Sequence, residues 1–188
     1  MTEEDTSVVL TQDPGSLLAL ITMNFLTLKP GEALYIPADG IHAYLSGDIV
    51  ECMARSNNVL NTGFCPRADR NSVESFVSCL TFTPHSAEEA MLPSTVYKGS
   101  KNGFTRVYAP PMSEFNMLHS WIPGGNTEGI DAIEGPSVLI CVSSTGQLRA
   151  EGKVHELKEG YIFFVGQGVD VEFAAKDSLL EVFMVYVD

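Results

Sequence analysis

The sequence is poor in positive charge: eleven lysines and arginines stand against 24 aspartates and glutamates, a formal net charge of −13. So anionic a chain argues against binding to nucleic-acid backbones and to anionic membrane surfaces, both of which need a basic face. An anionic small molecule would need a local patch of cations. One candidate exists, where Arg55, Arg67 and Arg70 are opposed nearby only by Glu51 and Asp69. Long apolar runs are also missing, and the longest, 16–25, is too short and too polar to span a bilayer. The four cysteines, Cys52, Cys65, Cys79 and Cys141, show neither CxxC nor CxH spacing. That leaves no zinc knuckle and no disulfide framework, and buried reduced thiols are expected. The opening residues Met1 to Thr6 are acidic where a leader peptide is basic, so a cytoplasmic location is expected.

What is present is ample apolar material. At 188 residues, 45% hydrophobic and 19% charged, the chain can build its own core as one large domain or two small ones. Residues 16–50 place β-branched and aromatic side chains between turn signals at Lys29-Pro-Gly, Pro37-Ala-Asp-Gly and Ser46-Gly-Asp, which predicts several short antiparallel strands. From Asn71 the period changes. Val73, Phe76, Val77 and Leu80 fall at helical spacing behind a possible cap at Asp69 or Asn71, predicting a helix with that stripe in the core. Residues 83–103 are rich in Pro, Ser, Lys and Gly and read as a connection with one helical turn at 86–91. Eight strands are then expected at 105–108, 114–122, 137–143, 147–150, 153–157, 161–165, 169–174 and 179–187, the pattern of a sandwich or jelly-roll barrel.

A weak repeat links the two β-rich stretches. LKPGEALYIPADGIHAYLSGD, from Leu28 to Asp48, lies without gaps over LKEGYIFFVGQGVDVEFAAKD, from Leu157 to Asp177. Turn, strand, turn and strand succeed one another in both, and in the first copy the unit ends on His42 and Tyr44. A histidine presented at that point is how a small cupin-type β-barrel offers a metal ligand. One imidazole is far from a metal site, which takes three or four donors. At the place of His42 the second copy has Val171, so the second unit is expected to be metal-free.

The run from Leu28 to Arg70 also resembles the C-terminal signature of the type I phosphomannose isomerases, most nearly of the fungal and eukaryotic branch. The likeness rests on Pro-Gly-Glu-Ala, on His42-Ala-Tyr44, on Gly47-Asp48, on Glu51-Cys-Met-Ala and on Ser56-x-Asn58-Val59 at that family's spacing. It extends more loosely through the second β block and covers only the C-terminal part of a longer protein. The resemblance implies an all-β, cupin-type fold of two β units joined by a short helical segment. The parts would be 1–70 with the catalytic motifs, 71–104 as helix and connection, and 105–188 as a second, metal-free β domain. It also implies zinc-assisted interconversion of mannose 6-phosphate and fructose 6-phosphate through an enediol, with a hexose 6-phosphate as substrate, in GDP-mannose precursor metabolism.

Carried over by position, His42 is the one zinc ligand from this region, Tyr44 and Glu51 match pocket residues, and Arg67 falls where a basic residue meets the phosphate. Read from the residues alone, each has a plainer alternative: a barrel-lining histidine, a rim aromatic, a strand-end carboxylate and a solvated loop cation. Two positions depart from the family, which usually has Asp where this chain has Asn57 and Arg where it has Asn61. The other three zinc ligands, a Gln and a His in a Gln-x-His pair and a Glu, have no counterpart here. His85, His119 and His155 sit in unrelated contexts. The chain is therefore expected to be a form weak or inactive on its own, the alternative being a non-catalytic paralogue that binds sugar or a partner. Apolar surface left uncovered would favour self-association.

Overall fold

The computed structural model describes residues 14–55, 59–61, 72–81, 83–112 and 114–187. They fall into two compact units, Met1–Ile49 with Arg55–Met91, and Val50–Ala54 with Leu92–Asp188.

The second unit contains ten strands: β1 (Ser94–Val96), β2 (Thr105–Tyr108), β3 (Asn116–Ile122), β4 (Thr127–Ile130), β5 (Ser137–Ser143), β6 (Thr145–Ala150), β7 (Lys153–Lys158), β8 (Ile162–Val165), β9 (Val171–Ala175) and β10 (Leu180–Tyr186). They form two antiparallel sheets, in the orders β1-β2-β3-β10-β5-β8 and β4-β9-β6-β7. From β3 onward the chain passes back and forth between the sheets, except at the β6–β7 hairpin within one of them, in the order of a jelly roll, so the all-β, cupin-type architecture read from the sequence is the fold of this unit. The eight expected strands are all present, with ends shifted by at most two residues. Alternation explains the core. Leu180, Val182, Met184 and Tyr186 of β10 are buried, as are Leu139 and Cys141 of β5 and Leu118 and Ile122 of β3. They meet Leu148, Leu157, Val171, Phe173 and Ala175 from the other sheet.

The first unit departs further from expectation. Where strands were predicted, Pro14–Thr22 is a helix (α1), and the only strand-type pairing among the described residues of 23–50 is a bridge between Leu34 and Met91. The reason lies in composition. Pro14 suits a first helical turn, and the run Leu17-Leu18-Ala19-Leu20-Ile21 is made mostly of good helix formers, whose unbroken hydrophobicity carries no period to tell strand from helix. The helix predicted from Asn71 is present as α2 (Val73–Cys79), capped by Ser72, whose hydroxyl accepts from the Ser75 N–H at 3.2 Å. Neither Asp69 nor Asn71, both outside the described residues, is that cap. Its stripe is not core: Val73 is 76% and Val77 57% exposed, and Phe76 and Leu80 are half-buried. A third helix, α3 (Ala87–Ala90), is the predicted turn, closed by a capping box in which Ser86 and Glu89 bond each other's backbone N–H. No described residue of this first unit is fully buried.

The repeat is visible in the backbone of both units. Gly31 and Gly160 take φ of 83° and 82°, and the turns they close are bonded alike, Glu32 N–H to Lys29 C=O at 3.0 Å and Tyr161 N–H to Lys158 C=O at 2.9 Å. At the second turn Asp39 and Gly168, the aligned pair, have φ of 62° and 75°. Glycine adopts this region freely and aspartate tolerates it, so the two turns survive although most side chains differ.

The cysteines only partly follow expectation. Those described are free thiols, but Cys141 is buried, Cys52 half-buried and Cys79 exposed; Cys65 lies outside the described residues. Burial pushes the thiols of Cys52 and Cys141 up from their ordinary value.

Candidate functional site

His42 is positioned by the second repeat turn. Gly40 N–H donates to Pro37 C=O at 3.2 Å, closing a turn with Asp39 in the left-handed region, and His42 follows two residues later. Thr81 Oγ1 donates to Asp39 C=O at 3.4 Å, which ties this turn to the residues following α2. His42 Nδ1 lies 2.9 Å from Gly40 C=O. A carbonyl only accepts, so Nδ1 carries the hydrogen of this bond, and in the neutral ring the lone pair sits on Nε2. That leaves Nε2 as the nitrogen able to donate to a metal, with the other nitrogen held by a backbone carbonyl. Tyr44, two residues on, sets its ring edge-on to the imidazole with centroids 5.7 Å apart. Both side chains are exposed.

Of the sequence-predicted site residues the structure brings together these two. Glu51 is exposed and belongs with the second unit, as part of Val50–Ala54. Arg67 and Asn57 lie outside the described residues; Asn61 is described and exposed. Among the described residues, no group of three or more His, Cys, Asp or Glu side chains is placed to hold a metal ion. His42 fits zinc as a single donor, and the set around it does not fit zinc as a site.

The other histidines have structural surroundings. His119 is buried on β3, its ring stacked on Phe183 at 4.2 Å and on Trp121 at 5.7 Å, with Nε2 2.8 Å from Glu181 Oε1. Burial holds this imidazole below its ordinary value, against the opposing pull of the Glu181 carboxylate. The unfolded chain therefore takes up this proton more readily than the folded one. The neutral ring's contribution is complete above about pH 6.5 and is lost as the pH falls below that. Melting temperatures recorded between about pH 8 and about pH 5 should decline on the acid side, less steeply in His119→Phe than in the parent. Equal slopes would show that His119 does not carry this dependence. His85 lies by Thr83 C=O at 3.4 Å, and His155 meets Phe163 edge-on at 5.8 Å.

Sequence reasoning missed Glu128. Its carboxylate is fully buried on β4 and accepts from the backbone N–H of Lys101 (3.0 Å), Asn102 (3.2 Å) and Phe104 (2.6 Å) and from Ser100 Oγ (3.1 Å). It anchors the 100–104 loop, and no spacing in the sequence signals it.

Fold and site together describe a jelly-roll protein of the cupin type, bearing in its first repeat a lone histidine with Nε2 able to donate to a metal. Its relatives say which kind. The chain is 37% identical over 163 residues to the mannose-6-phosphate isomerase of Emericella nidulans, covering 82% of this chain and 35% of that one. To the Saccharomyces cerevisiae mannose-6-phosphate isomerase it is 33% identical over 178 residues, covering 94% and 41%. Among solved structures it resembles the mannose 6-phosphate isomerase of Salmonella typhimurium bound to substrate and zinc, with a TM-score of 0.56 and 23% identity over 72% of this chain and 32% of that one. No protein-family model matches the sequence. The chain is a partial-length homologue of the mannose-6-phosphate isomerases, spanning about two fifths of the curated relatives it matches. Among the described residues no helix is long and apolar enough to cross a membrane.

Proposed function

We propose that this chain carries one part of a mannose-6-phosphate isomerase site and is weak or inactive without the rest. The observation that carries the reading is the register of His42. In the repeat it occupies the place of Val171, which in the second copy is 3% exposed and points into the barrel core. A first copy closed into a barrel in the same way would turn the Nε2 lone pair of His42 inward, where a ligand to zinc belongs. Zinc, when bound, would polarise the carbonyl and hydroxyl oxygens of the open-chain sugar.

This chain's own residues have narrower roles in the proposal. His42 supplies one imidazole donor, fixed by Gly40 C=O and steadied by the Tyr44 ring. Glu51 takes or gives a proton beside C1 and C2 or bonds the sugar hydroxyls, and Arg67 pairs with the 6-phosphate through its planar fork. The reading sets the chain in the cytoplasmic hexose-phosphate metabolism that supplies GDP-mannose.

Metal content and turnover on mannose 6-phosphate, measured on the purified chain, test it. Because a lone imidazole holds zinc poorly, the expected result is well under about a tenth of an equivalent of zinc and no measurable turnover. Stoichiometric zinc, with turnover abolished by His42→Ala, would overturn the claim that the site is partial.

A further inference from the structure

Two sheets have four outer strands, and three of them are protected against pairing with another chain. β1 is three residues long, and its Ser94 C=O is taken by the Arg106 guanidinium at 2.7 Å. β4 is covered by the 99–101 segment, with Lys101 N–H on Gly129 C=O at 2.9 Å and Asp131 N–H on Gly99 C=O at 3.0 Å. β7 carries Lys153, Glu156 and Lys158. These are the usual ways of blunting a sheet edge: shortness, cover and charge.

β8, four residues long, lacks the cover and the charge. Its sequence is Ile-Phe-Phe-Val, without charge, proline or glycine, and no strand among the described residues joins its outer side. Ile162 is 63% and Phe164 73% exposed on the sheet's outward face, beside Val138 at 48%. The same two residues also carry the backbone groups that point outward in the plane of the sheet. Cys141 N–H donates to Tyr161 C=O, so in this antiparallel ladder Tyr161, Phe163 and Val165 turn their backbone groups toward β5, while Ile162 and Phe164 turn theirs off the edge.

We propose that β8 is a dimerisation edge, at which two copies of this chain pair antiparallel about a two-fold axis through Phe163. The register is self-complementary. Each Ile162 lies opposite Phe164 of the other copy and exchanges both backbone hydrogen bonds with it, and the two exposed side chains pack on one face. The same patch serves both copies and the contact closes at two, so no second surface is required. An interface of four residues a side is small, and the dimer is accordingly weak, with a dissociation constant on the order of 10–100 µM.

Sedimentation velocity on the full chain, from about 2 to about 400 µM, tests this. The weight-average mass should climb from 20.4 kDa toward twice that value. Phe164→Lys and, separately, Ile162→Lys should weaken association at least about tenfold without altering the melting curve, since each would set a charge against an apolar side chain of the other copy. Val138→Lys, one strand in from the edge, should leave it within about twofold. A chain monomeric throughout would overturn the proposal, as would association indifferent to both edge lysines. Equal loss from Val138→Lys would overturn it too, by assigning the contact to the sheet face.

Discussion

Glu128→Ala should destabilise the jelly-roll unit by about 3–4 kcal/mol, a fall in melting temperature of about 15–25 °C for a domain of this size. The carboxylate is fully buried and, among the described residues, no cation pairs with it; Lys101 Nζ turns instead to Asp131 at 3.4 Å. Its charge is satisfied by three backbone N–H groups and the Ser100 hydroxyl, and Ser100 Oγ in turn accepts from Gly103 N–H at 3.0 Å. Truncation removes the shared acceptor of all four donors. Each buried donor left unsatisfied costs about 1–3 kcal/mol, and the total stays below the sum because a loop at the surface can open to water. Glu128→Gln keeps the volume but sets an NH₂ against donors, so it should recover less than half of the loss. Thermal denaturation followed by circular dichroism measures both variants. A drop under about 1 kcal/mol for Glu128→Ala would mean that the loop does not depend on the carboxylate.

The same residue shows why part of the fold was legible and part was not. Strands β3, β5, β9 and β10 announce themselves because alternation and β-branched residues agree with their places in two facing sheets. β4 reads Thr-Glu-Gly-Ile, and glutamate and glycine both disfavour strands; it exists because the 99–104 loop supplies donors from about 25 residues away in sequence, which no local pattern records. In the first unit the apolar positions were read correctly as apolar and wrongly as core. The Val73–Leu80 stripe has the period of a buried helix face, yet nothing among the described residues of its unit buries it. Periodicity reports that a face seeks cover, and cannot supply the partner. The site divides in the same way. His42 and Tyr44 were legible because they follow a turn whose glycine and aspartate dictate its shape, whereas the remaining donors belong to no spacing in this chain.

Joining this chain to the part of the Saccharomyces cerevisiae enzyme that it does not span should therefore give a protein that binds zinc and turns over mannose 6-phosphate; the chain matches 41% of that relative. In this chimera His42→Ala should lower kcat/KM by about 10³-fold or more if, as proposed, it removes a metal ligand, whereas loss of a group that only orients a ligand costs about 10–100-fold. The barrel of 92–187 should melt as before, since His42 contributes nothing to its core. Asn61→Arg provides the complementary gain. The chain has an amide where the resembled family usually has a cation, and a charge-assisted bond to phosphate, if it is made in substrate and transition state alike, should lower KM by about tenfold with kcat little changed. Zinc content, kcat and KM of the chimera and its two variants are the measurements. A folded chimera that holds no zinc, or one whose zinc and turnover ignore His42→Ala, would refute the assignment of this imidazole as a ligand. Zinc retained with the predicted loss of turnover would move His42 from holding the metal to acting on the sugar.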